Sequence, residues 1–539
     1  MNTQTLTHAP FSMHGGIDLA MPHLITPSVP VRLPIFPSYC VALSERSGLP
    51  AQPLVEVGQS VLRGQVIAQQ THRHNTFVHA PTSGTITQWH QSAPHQPITH
   101  IEIQSDGQDQ GLPETQTDLT RLSRDEMLKP LAQSGVLGLG GAGFPLLAKT
   151  AHQSPHTLIV NGVECDPWQS ADVSVLTHQL EAVLLGIRVL CRCWPIERVV
   201  LAVKKGALSS PLPAALNTYP TLQIRTVSSR YPSGGERQLV QQLLGLKLRA
   251  DQHCAELGIL CCNVQTVAAA GAAVQNQSPV ISRVITLAGD QLQWQGHVHL
   301  LNGTRAQDVL QWAGYQPSAT PVLVNGLMMG QPLADLSEPL GKTTTALLAP
   351  SSAQWPKAPA PDPCIRCNAC AEVCPEQLKP QELWRTLDAD DHPAAAEFQL
   401  DACILCRACN WVCPSHLPLA QTFAHGQQHW QQYQAQQARS AHAQHRFEQR
   451  QQRLAAAEVA QAERRARRAA LAAQRRGAQP NVASPQTANS ALDTLAAKLA
   501  SAEAKLAHAT PAERKAMQMT VRQLQQQLAR LHQEFQSDA

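Results

Sequence analysis

Two stretches of the sequence repeat one spacing of four cysteines, and each stretch ends in Cys-Pro. The first runs from Cys364 to Cys374 and the second from Cys403 to Cys413, with two, two and three residues between successive cysteines. Eight of the fifteen cysteines of the 539-residue chain lie in these runs. A zinc site uses four ligands, often as two separated CxxC pairs, so two complete runs fit zinc poorly.

This spacing is typical of proteins with two cubane iron–sulfur clusters, in which the fourth cysteine of each run binds the other cluster. We therefore expect two [4Fe-4S] clusters. The ligands of the first would be Cys364, Cys367, Cys370 and Cys413, and those of the second would be Cys374, Cys403, Cys406 and Cys409. We find no secretory signal and no apolar run of about 18 residues, so we expect a reducing cytoplasm and no transmembrane helix.

The other seven cysteines show no ligand-like spacing, and we interpret them as small buried hydrophobic residues. They are Cys40, Cys165, Cys191, Cys193, Cys254, Cys261 and Cys262. The histidines, His14 and His79 among them, are interpreted as structural or surface residues rather than ligands.

The formal net charge of +3 averages two unlike parts of the chain. Residues 1–439 carry a net charge of −4, whereas residues 440–539 carry +7 and are rich in Ala, Gln and Arg. The overall charge is too small to indicate nucleic-acid binding. The asymmetry predicts an acidic body followed by a basic tail.

A glycine-rich loop precedes the cysteine runs, with four glycines between Gly138 and Gly143. Such a loop turns sharply and lets the backbone approach a ligand, and exposed N–H groups ahead of a helix suit a phosphate. A packing turn without a ligand remains the alternative. Strand-like and helix-like periods alternate over 121–275, which indicates an α/β layered structure.

The order of motifs resembles the Rnf electron-transport complex, called Rsx in some bacteria, and within it the family of C subunits. The resemblance rests on GLGGAGFP at 138–145, NGVEC at 161–165, YPSGGE at 231–236 and NVQT at 263–266. It continues in FSMHGGI at 11–17, GQSVLRGQ at 58–65 and HAPTSG at 79–84, and covers about 11–450. The flavin module also resembles the NADH-binding flavoprotein subunit of respiratory complex I.

The resemblance implies bound FMN, with NAD(H) as the substrate that meets it. The residues that it places at these groups are Gly138, Gly140, Gly141, Gly143, Lys149, Asn161, Glu164, Asp166, Asp172, Tyr231, Glu236, Asn263 and Thr266. No catalytic residue in the strict sense is expected, because the chain would relay electrons.

The expected fold is a multidomain α/β chain. A barrel-sandwich domain would occupy 1–115, a Rossmann-like FMN/NADH-binding domain 121–275, a β-grasp domain 279–350 and a two-cluster ferredoxin domain 355–430. An Ala/Gln/Arg-rich helical tail, partly disordered, would occupy 431–539. No lysine lies at the hairpin tip where lipoyl or biotin would attach, so we interpret the barrel-sandwich as structural.

In the tail we expect a polar helix over 446–476, a linker over 477–489, and helix starts at Ser490 and Thr510. Leucines at three-and-four spacing predict a short coiled-coil hairpin, and a solvated extension is the alternative. A functional interpretation of the tail is docking to anionic lipid or to an acidic partner.

The resemblance implies a peripheral, NADH-oxidising subunit on the cytoplasmic face of the bacterial inner membrane. Its partners would be the other Rnf subunits (A, B, D, E and G), above all the ferredoxin-like B subunit. The complex couples electron transfer between NADH and ferredoxin to ion translocation, and in some bacteria the Rsx form keeps a redox-sensing transcription factor reduced. The alternatives are a soluble corrin-reductase-like enzyme and a nucleic-acid-binding protein with structural clusters.

Overall fold

The computed structural model describes residues 6–19, 25–44, 51–70, 76–91, 96–113, 115–151, 153–208, 216, 221–356, 359–475, 485–507 and 511–537. The chain forms two compact units, the body (1–435) and the tail unit (436–539). The strands in chain order are β1 (Leu6–His8), β2 (Val31–Arg32), β3 (Ser38–Ala42), β4 (Gln52–Pro53), β5 (Ser60–Val61), β6 (Val66–Gln69), β7 (Phe77–His79), β8 (Gly84–Gln91), β9 (Ile98–Ser105), β10 (Thr157–Gly162), β11 (Arg198–Lys204), β12 (Leu222–Val227), β13 (Ile259–Asn263), β14 (Ser282–Ala288), β15 (Gly296–Leu301), β16 (Leu323–Val324), β17 (Gln331–Pro332) and β18 (Ala346–Leu348).

The helices in chain order are α1 (Arg124–Gln133), α2 (Ala171–His178), α3 (Leu180–Cys193), α4 (Glu236–Leu244), α5 (Val264–Gln275), α6 (Ala306–Trp312), α7 (Ala369–Glu372), α8 (Pro380–Asp388), α9 (His392–Glu397), α10 (Ala408–Val412), α11 (Leu419–Arg475), α12 (Pro485–Ala507) and α13 (Pro511–Ser537). The body is a multidomain α/β structure, as expected. Among the described residues no single helix is long and apolar enough to cross a membrane, although α2 and α3 together, bent by 90°, reach that length and composition.

The central sheet of the body is parallel, with the strand order β1-β12-β11-β10-β13. Successive residues of β10 face opposite layers, because side chains alternate along a strand. Leu158 and Val160 pack with α1, α3 and α5, whereas Ile159 packs with α4. The result is a parallel sheet with helices on both faces, and the carboxyl ends of its strands lie along one edge of the sheet.

Helices α3 and α5 approach each other so closely that glycine is required at their contact. A Cβ at Gly186 would lie 1.8 Å from the carbonyl oxygen of Val267, and one at Gly271 would lie 2.7 Å from the backbone nitrogen of Gly186. Helix α5 carries the NVQT motif at its first turn. This packing therefore holds the motif against the central sheet.

Two smaller antiparallel sheets, β3-β9-β8-β5 and β4-β6-β7, enclose a core that includes Tyr39, Val41, Ile67, Ile101 and Ile103. A six-stranded sheet has the order β17-β16-β18-β14-β15-β2. Two N-terminal strands join sheets outside the predicted 1–115 domain. Strand β1 pairs with β12 of the central sheet and β2 pairs with β15, so the chain start ties these layers together.

The helices of the C-terminal part differ from the predicted bounds. Helix α11 begins at Leu419 rather than at 446, since no proline interrupts it and Gly426 packs against Leu387. Helix α12 begins at Pro485, so Ser490 is not its start, because proline is favoured in a first helical turn. The last residue of the predicted helix, 476, residues 477–484 of the predicted linker, and Thr510 lie outside the described residues. Helix α13 begins at Pro511, where a start was expected.

Helices α12 and α13 of the tail unit contact each other, as the predicted hairpin requires. The Gln525 amide donates to the Glu503 carboxylate at 3.2 Å, and Val521 is buried. The side chains of Leu531 and Phe535, which belong to the predicted leucine pattern, are outside the described residues.

Candidate functional site

The eight cysteines of the two runs line two separate cavities. Cys364, Cys367 and Cys370 line one together with Cys413, the last cysteine of the other run. Cys403, Cys406 and Cys409 line the second together with Cys374. We call these the outer cage and the inner cage. The exchange of the fourth cysteine between runs is the arrangement that two-cluster ferredoxins use.

The two runs adopt the same backbone conformation. The second residue after each first cysteine, Arg366 and Leu405, has a positive φ of 59° and 56°. The residue after each second cysteine, Asn368 and Arg407, has a φ of 63° in both runs. Non-glycine residues seldom adopt this conformation, so its repetition at matched positions shows that both loops wrap around a centre in the same way.

The two cages differ in their surroundings. Cys364 and Cys367 of the outer cage are exposed, whereas Cys406 and Cys409 of the inner cage are buried. Burial raises the pKa of the Cys403 thiol to about 12 and that of Cys406 to about 11. Thiolates this deeply buried need a bound positive centre, which iron supplies and which also deprotonates a coordinating thiol. The donor set and its burial therefore fit iron–sulfur clusters.

The glycine loop lies at the carboxyl edge of the central sheet. The hydroxyl of Thr266 accepts a hydrogen bond from the Leu139 N–H at 2.8 Å, and the Gly143 N–H donates to the Gly138 carbonyl at 3.0 Å. Among the described residues, the N–H groups of Gly140, Gly141 and Ala142 have no protein acceptor. The loop thus offers donors to a phosphate or a flavin, which are the groups that such glycine-rich turns bind.

Two asparagines end neighbouring parallel strands beside this loop. Asn161 of β10 and Asn263 of β13 are register partners. The Asn161 amide donates to the Gly234 carbonyl at 2.9 Å, and the Asn263 oxygen accepts from the Gln265 N–H at 2.9 Å. Ligands of open α/β sheets bind at the carboxyl ends of strands, so these asparagines lie where a cofactor is expected.

A pair of carboxyl groups lies behind the asparagines. Glu164 accepts from the N–H groups of Asp172 and Val173, at 2.8 and 3.3 Å. Asp172 accepts from the Gln265 amide at 2.9 Å and from the Asn263 amide. Burial raises the pKa of both carboxyls, and the charge of Asp172 raises that of Glu164 further. The pair therefore releases its protons less readily than two solvated carboxyls would.

Three further predicted site residues form hydrogen bonds or ion pairs with other protein groups, namely Lys149, Glu236 and Asp166. Lys149 lies 3.3 Å from the Glu236 carboxylate and donates to the Cys261 carbonyl at 2.9 Å. Burial lowers the pKa of Lys149, but Glu236 together with the nearby Cys262, Cys261 and Cys254 outweighs this effect, so the pKa is raised. Asp166 accepts from the N–H groups of Leu327, Met328 and Met329, at 2.8, 3.1 and 3.3 Å. Its carboxylate therefore holds the 325–330 loop.

Tyr231 connects the YPSGGE segment to the inner cage. Its side chain is 2% exposed, and its hydroxyl donates to the Cys406 carbonyl at 2.8 Å. The backbone of Tyr231 pairs with Ile17, and the neighbouring Gly16 donates to the Val373 carbonyl at 2.8 Å. The N-terminal FSMHGGI segment therefore lies between the α/β module and the cysteine runs.

Two polar contacts strengthen this junction. Glu376, which follows Cys374, lies 3.3 Å from the Arg237 guanidinium and accepts from the Gln238 amide at 2.7 Å. Arg407, which follows Cys406, donates to the Gly330 carbonyl at 2.8 Å. We call the Tyr231, Glu376 and Arg407 contacts the seam. Each one lies at the inner cage.

Several residues of the site were not predicted from the sequence. Gln265 belongs to the NVQT motif, and its amide donates to Asp172. Its position in that motif could therefore have identified it as a site residue. Arg283 of β14 is buried and lowers the pKa of both carboxyls of the Glu164–Asp172 pair. Arg283 lies outside the motifs, whereas Glu376 and Arg407 lie beside or within the cysteine runs, where the cysteine spacing says nothing about their contacts with the α/β module.

The seven remaining cysteines are mostly buried, as expected. Cys165 and Cys191 are half-buried, and the Cys165 sulfur accepts from the Gly234 N–H at 3.3 Å. Cys261 and Cys262 lie in β13, the last strand of the central sheet, and both are buried.

Family models match three parts of the chain. They describe an RnfC barrel sandwich hybrid domain at residues 11–108, a Nuo51 FMN-binding domain at 131–272 and a 4Fe-4S dicluster domain at 363–417. These matches confirm the barrel-sandwich, flavin-binding and dicluster parts of the predicted fold. The chain is thus a flavin and iron–sulfur protein, with FMN and [4Fe-4S] clusters as its cofactors.

The relatives give the particular family. The C subunit of the ion-translocating oxidoreductase complex of Pseudomonas aeruginosa is 40% identical over 390 residues, which cover 70% of this chain and 50% of that protein. The protein of the same name from Haemophilus influenzae (strain PittEE) is 36% identical over 409 residues, 74% of this chain and 62% of that protein. The chain belongs to this family of C subunits, and it spans about half to three fifths of the length of these two relatives.

A solved structure, an NAD+-reducing [NiFe]-hydrogenase in the H2-reduced state, is similar at 18% identity with a TM-score of 0.40. The similarity covers 58% of this chain and 61% of that one.

Proposed function

We propose that the chain is the NADH-oxidising, peripheral electron-transfer subunit of an ion-translocating oxidoreductase complex. The observation that carries the proposal is the hydrogen bond from Tyr231 to the Cys406 carbonyl, which joins the flavin-type module directly to a buried four-cysteine cage. FMN supplies the chemistry that such a junction needs, because a flavin exchanges electrons in pairs with a nicotinamide and singly with iron–sulfur clusters.

The residues proposed to hold FMN surround the carboxyl edge of the central sheet. The glycine loop, with Gly138, Gly140, Gly141 and Gly143, would present its N–H groups to the flavin phosphate or to the incoming nucleotide. Asn161, Asn263 and Thr266 would fix the loop and the ring, and the Glu164–Asp172 pair would hold a proton near the nicotinamide. Lys149 would contact the phosphate side only if its ion pair with Glu236, in the YPSGGE segment, rearranges on binding.

The proposed cluster ligands are the eight cysteines of the two cages. The outer cage would hold one [4Fe-4S] cluster through Cys364, Cys367, Cys370 and Cys413. The inner cage would hold the other through Cys374, Cys403, Cys406 and Cys409. The inner cage is the one at the seam, and the outer cage is the one open to solvent, so the outer cage is proposed to face the next electron carrier.

The finer domain division is part of the proposal. It assigns a barrel-sandwich domain to 1–115, a Rossmann-like domain to 121–275, a β-grasp domain to 279–350, a two-cluster domain to 355–430 and a helical tail to 431–539. The order of the central sheet and the six-stranded sheet around β14 and β15 support it.

The proposed partners are the other members of the complex, with the ferredoxin-like B subunit next to the outer cage, at the cytoplasmic face of the inner membrane. The names of the P. aeruginosa and H. influenzae relatives support membership in such a complex. Maintenance of a reduced redox-sensing transcription factor would be a further role of the same electron flow. A soluble corrin-reductase-like enzyme is not favoured, since the relatives belong to a multi-protein complex.

The test begins with full-length protein purified anaerobically and loaded with FMN. We expect NADH to reduce an artificial acceptor at a rate that depends on FMN, and we expect about eight iron and eight labile sulfide per chain. Purification from membranes should recover the partner proteins together with the chain. Failure to bind any flavin would contradict the proposal, as would zinc in place of iron.

The basic tail is proposed to assist membrane association. In α11 the side chains of Arg464, Arg465, Arg467 and Arg468 are all exposed. Each basic side chain near an anionic surface contributes about 1 kcal/mol. Replacing the four arginines by alanine should therefore lower binding to vesicles containing phosphatidylglycerol at least about tenfold, whereas replacement by lysine should preserve it. Equal binding by all three proteins would contradict the role of the tail.

A further inference from the structure

A polar group of side chains lies on the barrel-sandwich sheet, outside the flavin and cluster sites. Cys40 of β3, His90 of β8 and Glu102 of β9 project from three neighbouring strands. One ligand atom of each residue lies within 4.8 Å of the others, and the His90 Nε2 is 3.1 Å from a Glu102 oxygen.

Core packing does not explain the position of Cys40. Its neighbours Tyr39 and Val41 point into the hydrophobic core of the two small sheets, and Ile101 and Ile103 do the same on β9. Because side chains alternate along a strand, Cys40 and Glu102 lie on the opposite face. Cys40 is nevertheless only 6% exposed. The sulfur is therefore buried against polar groups rather than among apolar ones, which differs from the prediction for this cysteine.

We propose that Cys40, His90 and Glu102 bind one divalent transition-metal ion, for which zinc is the best match. One sulfur, one imidazole nitrogen and one carboxylate oxygen form a donor set that suits zinc. Ligands at about 2.0–2.3 Å from a tetrahedral ion lie roughly 3.3–3.7 Å from one another, and the ligand atoms of these three side chains lie within 4.8 Å of one another before any ion draws them together. Three protein ligands leave a fourth position for water, which can enter beside His90, whose side chain is 37% exposed.

A bound metal ion would hold Cys40 as the thiolate, because a coordinating thiol is deprotonated. The thiolate would offset part of the charge of the ion, since the charge of Glu102 is already offset by Arg305 at 2.7 Å.

Arg305 provides the outer support that metal-ligating carboxylates usually have. Its Nη2 donates to both oxygens of Glu102, at 2.7 and 2.8 Å, and so fixes the orientation of the carboxylate. The Cys40 N–H donates to the Gly303 carbonyl at 2.8 Å, two residues before Arg305. An ion here would sit where the barrel-sandwich meets the 303–305 segment, and would join the two.

The experiment has to separate this site from the cluster cysteines, which also bind zinc. Full-length protein with both clusters in place, verified by iron and sulfide content, is incubated with excess Zn²⁺, dialysed and assayed by elemental mass spectrometry. The variants are Cys40→Ser and His90→Ala, and the control is Cys191→Ser, which changes a half-buried cysteine of α3. X-ray absorption at the zinc edge reports the ligands.

We expect about one zinc per chain in the wild type and in the control, with one sulfur near 2.3 Å and the remaining ligands nitrogen or oxygen. Both site variants should retain less than about a tenth of that zinc, and Arg305→Ala should weaken zinc affinity about 10- to 100-fold. If Cys40→Ser fails to fold, the half-exposed His90→Ala carries the test. Absence of zinc in the wild type, equal zinc in the site variants, or a four-sulfur ligand shell would each overturn the proposal.

Discussion

The inner and outer cages share their spacing and their backbone, yet the protein surrounds them differently. Arg366 and Leu405 occupy matched positions with the same left-handed conformation. The neighbouring Ile365 of the outer cage is 67% exposed, whereas Cys406 of the inner cage is 8% exposed. The potential of an iron–sulfur cluster depends on solvent exposure and nearby hydrogen bonds. Two equal motifs can therefore become two unequal electron carriers through their neighbours alone.

The seam accounts for the difference. Tyr231 reaches Cys406, Glu376 pairs with Arg237, and Arg407 holds Gly330. These residues lie in or beside the inner cage. Glu376 is among them because Cys374, the last cysteine of the first run, is the fourth cysteine of this cage. The exchange of the fourth cysteine thus brings residues of both runs to the flavin-type module.

The largest expected effect comes from removing one matched cysteine in each cage. Cys406→Ala and Cys367→Ala should each cost about half of the iron and labile sulfide, since each cage is proposed to hold one of two clusters. Only Cys406→Ala should abolish the reduction of the remaining cluster by NADH, because the inner cage lies at the seam. Electron paramagnetic resonance of anaerobic protein after NADH addition measures this. Equal loss of NADH-driven reduction in both variants would contradict the proposal that electrons enter through the inner cage.

The next effect concerns the ion pair of Glu376, whose side chain is 9% exposed. Glu376→Gln leaves Arg237 without its charged partner and should lower the local opening free energy of the seam by about 2–3 kcal/mol. Glu382→Gln is the matched control, because its pair with Arg385 is largely exposed and is worth about 0–1 kcal/mol. Native-state hydrogen exchange of residues 372–378 gives both values. A control effect as large as that of Glu376→Gln would contradict the assignment.

Loss of the Tyr231 hydroxyl is expected to lower the local opening free energy somewhat less than loss of the Glu376 charge. Tyr231→Phe leaves the Cys406 carbonyl without its donor in a buried place, which costs about 1–2 kcal/mol. Hydrogen exchange should therefore accelerate in 403–409 but not in 364–370. Tyr315→Phe, at a half-buried site in the six-stranded sheet region, serves as the control. Equal acceleration in both cysteine loops would mean that the bond does not act on the inner cage specifically.

The smallest effect is a pH dependence at Asp166, which holds the loop that Arg407 contacts. Burial raises the pKa of Asp166 to about 6, whereas an unfolded aspartate titrates near 3.9. Between these values the native chain binds more protons than the unfolded one, so this group stabilises the fold increasingly as the pH falls. From pH 7 to pH 5, wild type should gain about 1 kcal/mol of opening free energy at 325–330 relative to Asp166→Asn.

The measurement is hydrogen exchange of the 325–330 loop, corrected for intrinsic rates at each pH. The exposed Asp388→Asn serves as the control and should run parallel to wild type. A constant difference between wild type and Asp166→Asn would show that the carboxyl is not titrating in this range.

Much of the site followed from local sequence. The cysteine spacing was enough to predict which fourth cysteine joins which cavity, because three closely spaced thiols occupy one loop and the fourth lies beyond its reach. The glycine loop and the NVQT motif were assigned to the flavin module by the resemblance, and only the structure brings them together, through the hydrogen bond from Leu139 to Thr266. The roles of Asp166 and Lys149 could not be predicted from local sequence. The amides that Asp166 binds begin 161 residues away, at Leu327, and Glu236, the partner of Lys149, lies 87 residues away.

By itself the sequence determined the cofactor-binding chemistry, because thiol number, thiol spacing and glycine density are local properties of the chain. Only the tertiary structure decided that one cage is buried at Tyr231 and the other exposed, and that Cys40 meets His90 and Glu102. Those facts depend on which distant segments come together, and burial, pKa and hydrogen-bond partners are properties of that assembly rather than of any one motif.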